Sequence, residues 1–357
     1  MWQDRRFLDL IGIELPIVQA PMAGSVTSEM VIAVSEAGGL GSLPCAMLNP
    51  EQLRTELGII RQRTSRPINV NFFCHASPQP DARRDAAWKE RLRPYYGEFG
   101  IDPDAQPSGP ARTPFDLAMC DAVLEFRPEV VSFHFGLPDE RLLRRVKETG
   151  AKVLSSATSV AEARALEAGG CDAIIAQGYE AGGHRGMFLT SDIASQAGTM
   201  ALVPQVVDAV RVPVIAAGGI ADGRGIVAAF ALGASAAQIG TAYLFCPEAK
   251  VGDAHRAALK SADDSATVLT NVFTGRPARG IVNRIVREVG PMSPDAPAFP
   301  LAANGVAPLR AKSEAAGSGD FTPLWSGQAA ALGRALPAAE LTHKLAADAL
   351  ERLAGLR

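Results

Sequence analysis

The sequence is poor in aromatic residues, which make up 6% of it while apolar residues reach 47%. Its core must therefore come from Ala, Val, Ile and Leu, the composition of a globular α/β protein. Cysteine is scarce and scattered: Cys45, Cys74, Cys120, Cys171 and Cys246 are odd in number and form no Cys-x-x-Cys pair. Neither a disulfide framework nor a zinc site is suggested, and no metal is expected. An excess of one charge is also missing, since the formal net charge is −3 with acids and bases interspersed. No basic surface asks for nucleic acid or an anionic membrane. No uninterrupted apolar run approaches the roughly 20 residues of a membrane span, and the opening Met-Trp-Gln-Asp-Arg-Arg lacks a signal-peptide core. A cytoplasmic protein is expected. Gly-x-Gly-x-x-Gly after the first strand and Gly-x-x-x-x-Gly-Lys-Ser/Thr are both absent, so the common dinucleotide and P-loop signatures are too.

What is present concentrates in residues 173–188, where the apolar run Ala173-Ile174-Ile175-Ala176 ends in Gln177-Gly178-Tyr179-Glu180-Ala181-Gly182-Gly183-His184-Arg185-Gly186. The run reads as a strand buried on both faces, and the glycine-rich turn is unsuited to helix or sheet interior. Gly182 and Gly183 let the backbone approach a flat ligand. They place His184, the one residue there that titrates near neutrality, beside Arg185. The plain alternative is an exposed histidine in an ordinary loop.

The same strand–loop–helix unit repeats along the chain. Strands are predicted at residues 16–20, 40–43, 68–73, 130–136, 152–157, 173–177, 212–219 and 236–241, with helices between. The fourth to sixth start about 21 or 22 residues apart, which fits a parallel sheet closed into a TIM (β/α)8 barrel. A doubly wound open sheet is the runner-up. The expected division is a barrel over residues 1–245 with a lid-like excursion at about 75–114, a small accessory subdomain over 246–312, and C-terminal helices over 313–357 returning to the barrel. Helix is expected again from residue 320, and His75, His255 and His343 are read as surface or turn residues.

In such barrels function sits at the carboxyl ends of the strands, with phosphate gripped after strands seven and eight. Strand seven ends in Gly218-Gly219, and strand eight in Gln238-Ile239-Gly240-Thr241. Their amides and the threonine hydroxyl suit a phosphate dianion, although glycine at both ends also makes tight turns. Asn71 and Gln177 each donate and accept, matching the mixed edge of an isoalloxazine ring, and the backbone of Ala20, Pro21 and Met22 can complete it. Bonding of both amides to neighbouring backbone is the competing reading. His134 is a candidate polar wall for a substrate pocket, or a structural histidine satisfied by backbone.

Taken together, Gln19-Ala20-Pro21-Met22-Ala23-Gly24, Asn69-Val70-Asn71-Phe72-Phe73-Cys74-His75, Ser132-Phe133-His134-Phe135-Gly136, the Gln177 to Gly186 loop and Ala217-Gly218-Gly219-Ile220 resemble the nitronate monooxygenases, formerly 2-nitropropane dioxygenases. The resemblance runs over nearly the full length. It implies an FMN-dependent barrel enzyme in which FMN contacts Asn71, Gln177, Gly182, Gly219 and residues 238–241, and His184 is the active-site histidine. The implied reaction is oxidation of an alkyl nitronate by O2 to a carbonyl compound and nitrite, with a small-molecule substrate and no nicotinamide. A cationic or donating His184 would meet the negative nitro group, and would take a proton from a neutral nitroalkane. One departure stands out: where the best-characterised bacterial class carries tyrosine and lysine, this chain reads Phe-Pro-Leu-Ala-Ala-Asn-Gly-Val-Ala-Pro-Leu from Phe299. Two other functions share the pattern. NAD(P)H-dependent flavin reductases acting on quinones or enoyl-acyl carriers resemble it in barrel and Gly-Gly-His loop, and a non-catalytic flavin-binding barrel would need no titratable residue at the ring.

Overall fold

The computed structural model describes residues 2–79, 81–102 and 112–355. Eight parallel strands carry the architecture: β1 (Ile17–Gln19), β2 (Gly41–Pro44), β3 (Ile68–Phe73), β4 (Val130–His134), β5 (Lys152–Ala157), β6 (Ala173–Gln177), β7 (Val214–Ala217) and β8 (Ala236–Ile239). Each pairs with its neighbours in chain order, and β1 pairs with β8 through Ile17↔Ala237, Val18↔Gln238 and Gln19↔Ile239. The bridge Val18↔Leu40 brings β1 and β2 together and closes the ring. The strands read as continuous apolar runs because helices cover the outside and side chains fill the inside, so both faces are buried. β3 and β6 are buried at every residue.

Local chemistry sets the helix starts. Thr27 accepts from Met30 N, Asn49 and Gln52 form a reciprocal capping box ahead of Pro50, and Asp222 accepts from the N–H groups of Arg224 and Gly225. The last helix, Ala338–Gly355, packs between Ser28–Glu36 and Gly223–Ala231 and completes the outer ring.

Outside the ring a second hydrophobic cluster joins the excursion to the segment after β8. Trp88, Leu92 and Tyr96 of helix Ala82–Phe99 meet Val306 and Leu309 of helix Ala302–Ala315, with Val272, Ile285 and Phe321 beneath. Trp88 Nε1 donates to Ala302 O at 3.2 Å, and Tyr96 OH to Gly305 O at 2.5 Å. Part of the expected lid-like excursion, residues 103–111, lies outside the described residues.

One expectation fails here. Residues 319–337 form no α-helix beyond the short turn Ala330–Leu332; helix resumes only at Ala338. The part around Trp325 lies against the strand Ala278–Ile281 of a small antiparallel sheet, where Trp325 bridges Gly280 and Ile281 N donates to Leu324 O at 2.8 Å.

Candidate active site

β6 delivers a loop locked by its own polar groups. Gln177 Oε1 accepts from Gly186 N at 2.8 Å while its Nε2 donates to His184 O at 3.0 Å. Arg185, the sequence neighbour of His184, is fully buried and acts as a strut: it donates to the carbonyls of Gly178 (2.5 Å) and Gln177 (2.8 Å) and to Gln196 Oε1. Burial pushes its pKa down to about 10, which leaves it charged at neutral pH. A short antiparallel sheet fixes the far side, where Gly183–His184 pairs with Ala278–Ile281, itself paired with Thr267–Thr270.

His184 therefore sits between barrel and accessory hairpin, and its side chain lines a deep cleft. Its Nε2 lies 2.9 Å from Thr274 Oγ1. Phe299 and Trp325 flank the ring, at centroid distances of 5.2 Å and 5.5 Å. Removal from water holds its pKa well below the ordinary histidine value, reinforced by the charge of Arg112 and then by His134, Arg276 and His75. A cationic imidazole is thereby corrected: His184 is neutral near pH 7, and only its donating and accepting forms remain.

The other histidines divide by role. His134 lines the cleft, yet Nδ1 contacts Ser156 Oγ (3.1 Å) and Nε2 contacts His184 O (3.2 Å), with burial lowering its pKa to about 3. Both nitrogens are committed to holding neighbours in place. Of the histidines expected as surface or turn residues, His75 lies in a loop but is only 6% exposed, and His255 is a helix residue 9% exposed. His75 packs edge-on against Phe299, and burial pushes its pKa down to about 4. His255 lines the cleft with Nε2 on Trp325 O at 3.0 Å. His343 is exposed, as expected.

The cleft has about 1370 Å3 of space free of protein atoms, its open mouth included. Every barrel strand contributes to it from its carboxyl end, through Met22, Met47, Asn71, His134, Ser156, Gln177, Gly218 and Gln238. Ala20, Pro21, Gly182, Gly183, Gly219, Gly240 and Thr241 line it as well. Ile239 does not: its side chain is fully buried in the barrel core, and its carbonyl accepts from Ala20 N at 2.8 Å.

A flavin phosphate fits this lining on chemical grounds. Gln238 Oε1 is buried with no hydrogen-bond partner among the described residues. Asn71 Nδ2 donates to Ser132 Oγ at 2.9 Å, and its Oδ1 accepts from no donor among them. Orphaned amide acceptors facing a cleft call for a donor from a ligand edge. At the other end Gly218 and Gly219 hold φ of 118° and 69°, conformations that demand glycine. Among the described residues the N–H groups of Gly219, Gly240 and Thr241 meet no protein acceptor. Thr241 Oγ1 accepts from Gly327 N at 2.8 Å, which keeps the hydroxyl hydrogen available to an anion.

Sequence reasoning missed the cations. Arg112 lines the cleft half-buried, its pKa lowered by removal from water and then by the positive charge of Arg310. Arg276 stacks 3.9 Å over the Phe135 ring, donates to Met187 O, and has its Nε buried without a partner among the described residues. Phe135 holds φ of 71°, a strained conformation for a bulky residue and a mark of a functional site. Trp325 and Gly327, from the segment read as helix, complete the wall.

A family model for nitronate monooxygenase matches residues 4–348. A nitronate monooxygenase from Paraburkholderia phytofirmans is 42% identical over 356 residues, covering 99% of this chain and 97% of that protein. Among solved structures, a nitroalkane oxidase from Streptomyces ansochromogenes superposes with a TM-score of 0.89 at 40% identity, covering 99% of this chain and 100% of that one. FabK from Thermotoga maritima does so with a TM-score of 0.76 at 30% identity, covering 100% and 99%.

Proposed function

This chain belongs to the nitronate monooxygenase family, an oxidoreductase family, and from that premise we propose that it oxidises alkyl nitronates with O2 to a carbonyl compound and nitrite, using FMN. The observation that carries this reading is a neutral, oriented His184 and a half-buried Arg112 on one cleft whose remaining walls offer unpaired amide acceptors and main-chain N–H donors.

Each residue has a task. Gly218, Gly219, Gly240 and Thr241 hold the phosphate through N–H and hydroxyl donors, while Asn71, Gln177 and Gln238 meet the ring edge, with Ala20, Pro21 and Met22 along its side. When bound, FMN supplies the electron acceptor and the centre that reacts with O2. Arg112 attracts the nitronate anion into the cleft, where partial removal from bulk water lets its charge act at greater strength than in water. Phe299 and Trp325 exclude water around the His184 ring. With a neutral nitroalkane, His184 takes the proton from carbon, being unprotonated at neutral pH.

The test is an absorption spectrum of the purified protein followed by oxygen uptake and nitrite release with a panel of nitronates. A yellow protein that releases nitrite is expected. A colourless preparation that FMN does not reconstitute overturns the cofactor assignment. The likeness to FabK favours one second reading, an NAD(P)H-dependent flavin reductase. Anaerobic mixing separates the two, because prompt bleaching by NADH with none by a nitronate would select the reductase.

A further inference from the structure

We infer that Thr274 is a positioning residue that fixes the tautomer of His184, keeping the proton on Nε2 and leaving Nδ1 as the basic nitrogen. Nε2 and Thr274 Oγ1 are 2.9 Å apart, and the threonine is 2% exposed. A hydroxyl has one proton, and this one has a second acceptor within reach, Arg276 O at 3.5 Å. Directed there, it keeps the Arg276 carbonyl paired and offers an oxygen lone pair to the imidazole. Nε2 must then be the N–H. Nδ1 has no hydrogen-bond partner among the described residues and belongs to a side chain that lines the cleft.

The turn bearing Thr274 is built to hold still. Asn271 bonds Ser293 in both directions, Nδ2 to Ser293 O at 2.9 Å and Ser293 N to Oδ1 at 2.8 Å. Gly275 N donates to Asn271 O at 2.7 Å, and a Cβ at Gly275 would lie 1.9 Å from Pro297 O, so the turn is wedged against the next segment. The hairpin that grips the imidazole also grips its backbone, through Ala278↔His184 and Arg185 N to Pro277 O at 2.9 Å. Ring and main chain thus move as one body, which is what orienting a base requires.

The inference rests on the proposed reaction only where substrate is concerned. In proton abstraction the carbon–hydrogen bond breaks, its electron pair passes onto the nitro group, and the proton forms a bond to Nδ1. A substrate already ionised skips that step. The groups facing the imidazole (Arg112, Arg276, His75 and His134) disfavour its cation, in which both nitrogens carry a proton.

The experiment uses flavin-loaded protein with 15N-labelled histidine, together with Thr274→Val and Thr274→Ser. NMR of the unsubstituted protein should show His184 protonated on Nε2 alone, and in Thr274→Val a mixture of tautomers. Turnover of a neutral nitroalkane should fall on the order of tenfold or more in Thr274→Val, while the pre-formed nitronate changes less than about threefold. Thr274→Ser, which keeps the hydroxyl, should match the parent. A proton on Nδ1 in the parent protein overturns the inference, as does equal loss with both substrates in a Thr274→Val protein that keeps its flavin. If the parent oxidises neither substrate, the proposed function fails while the NMR spectrum still decides the tautomer. If Thr274→Val does not fold, the parent spectrum and Thr274→Ser decide alone.

Discussion

At the scale of single residues, the site is governed by how few negative charges accompany its cations. Arg112, Arg276 and three histidines converge, and every histidine among them is held neutral. Arg112→Met should therefore raise KM for a nitronate roughly 10- to 100-fold, the 1.5–3 kcal/mol of one hydrogen bond to a charged group. A neutral nitroalkane should suffer less; equal losses would assign Arg112 to structure instead. Losing that charge also lets the His184 pKa rise, so the acid limb of the kcat/KM profile should move to higher pH. Stability follows from the same groups. His75 and His134 have folded pKa values of about 4 and about 3, below the ordinary 6.5, so between those limits the unfolded chain binds more protons. Their contribution is complete above pH 6.5 and is lost as pH falls, by up to about 1.4 kcal/mol per unit for each histidine. Denaturant midpoints that stay level from pH 7 to pH 4 would contradict this. Finally, His184→Asn should keep its flavin and lose on the order of a hundredfold with a neutral nitroalkane; unchanged turnover would show that His184 is not the base.

At the scale of elements, the joint between β6 and the following helix leaves no room for a side chain. A Cβ on Gly178 would lie 1.9 Å from Thr199 Oγ1 and 2.5 Å from Thr199 N, and that threonine also holds Glu180 and Gly218 O. Gly178→Ala should push the loop away from the helix Thr199–Ala209 and release flavin, measured as a fall in bound FMN per chain. Full occupancy would show that the joint yields. The strands were legible because burial on both faces makes each a plain apolar run, and Asn71 and Gln177 stood out as amides at the ends of such runs. Helix Ala302–Ala315 was not, since Gly305 and Pro308 interrupt its pattern; Gly305 is there because its Cβ would meet Leu92 Cδ1 and Trp88 Nε1 at 2.9 Å. Residues 319–337 failed in the opposite sense. Their alanines favour helix locally, but bonding to the small sheet wins, a tertiary preference that no local pattern encodes. Arg112 was illegible for a similar reason, because nothing within its proline-rich surroundings tells that it returns to the cleft.

At the scale of the whole molecule, the last helix reaches the phosphate end of the cleft through one buried contact. Tyr243 belongs to the turn Thr241–Phe245 that opens with the proposed phosphate donors, and its hydroxyl meets Thr342 Oγ1 at 2.8 Å. Both residues are fully buried. Thr342 Oγ1 donates its proton to Ala338 O at 2.7 Å, so the tyrosine must be the donor to Thr342. Thr342→Val keeps the shape and strands the phenolic proton, costing about 1–3 kcal/mol. Tyr243→Phe removes the stranded group itself and leaves Thr342 still bonded to Ala338, so it should cost less, about 0.5–1.5 kcal/mol. The two changes together should cost less than their sum, because the second relieves the penalty of the first. Denaturant unfolding of the four proteins measures that coupling, and bound FMN per chain shows whether it is transmitted to the site. Strict additivity would mean that the helix and the turn are independent, and that closure of the ring does nothing to hold the cleft.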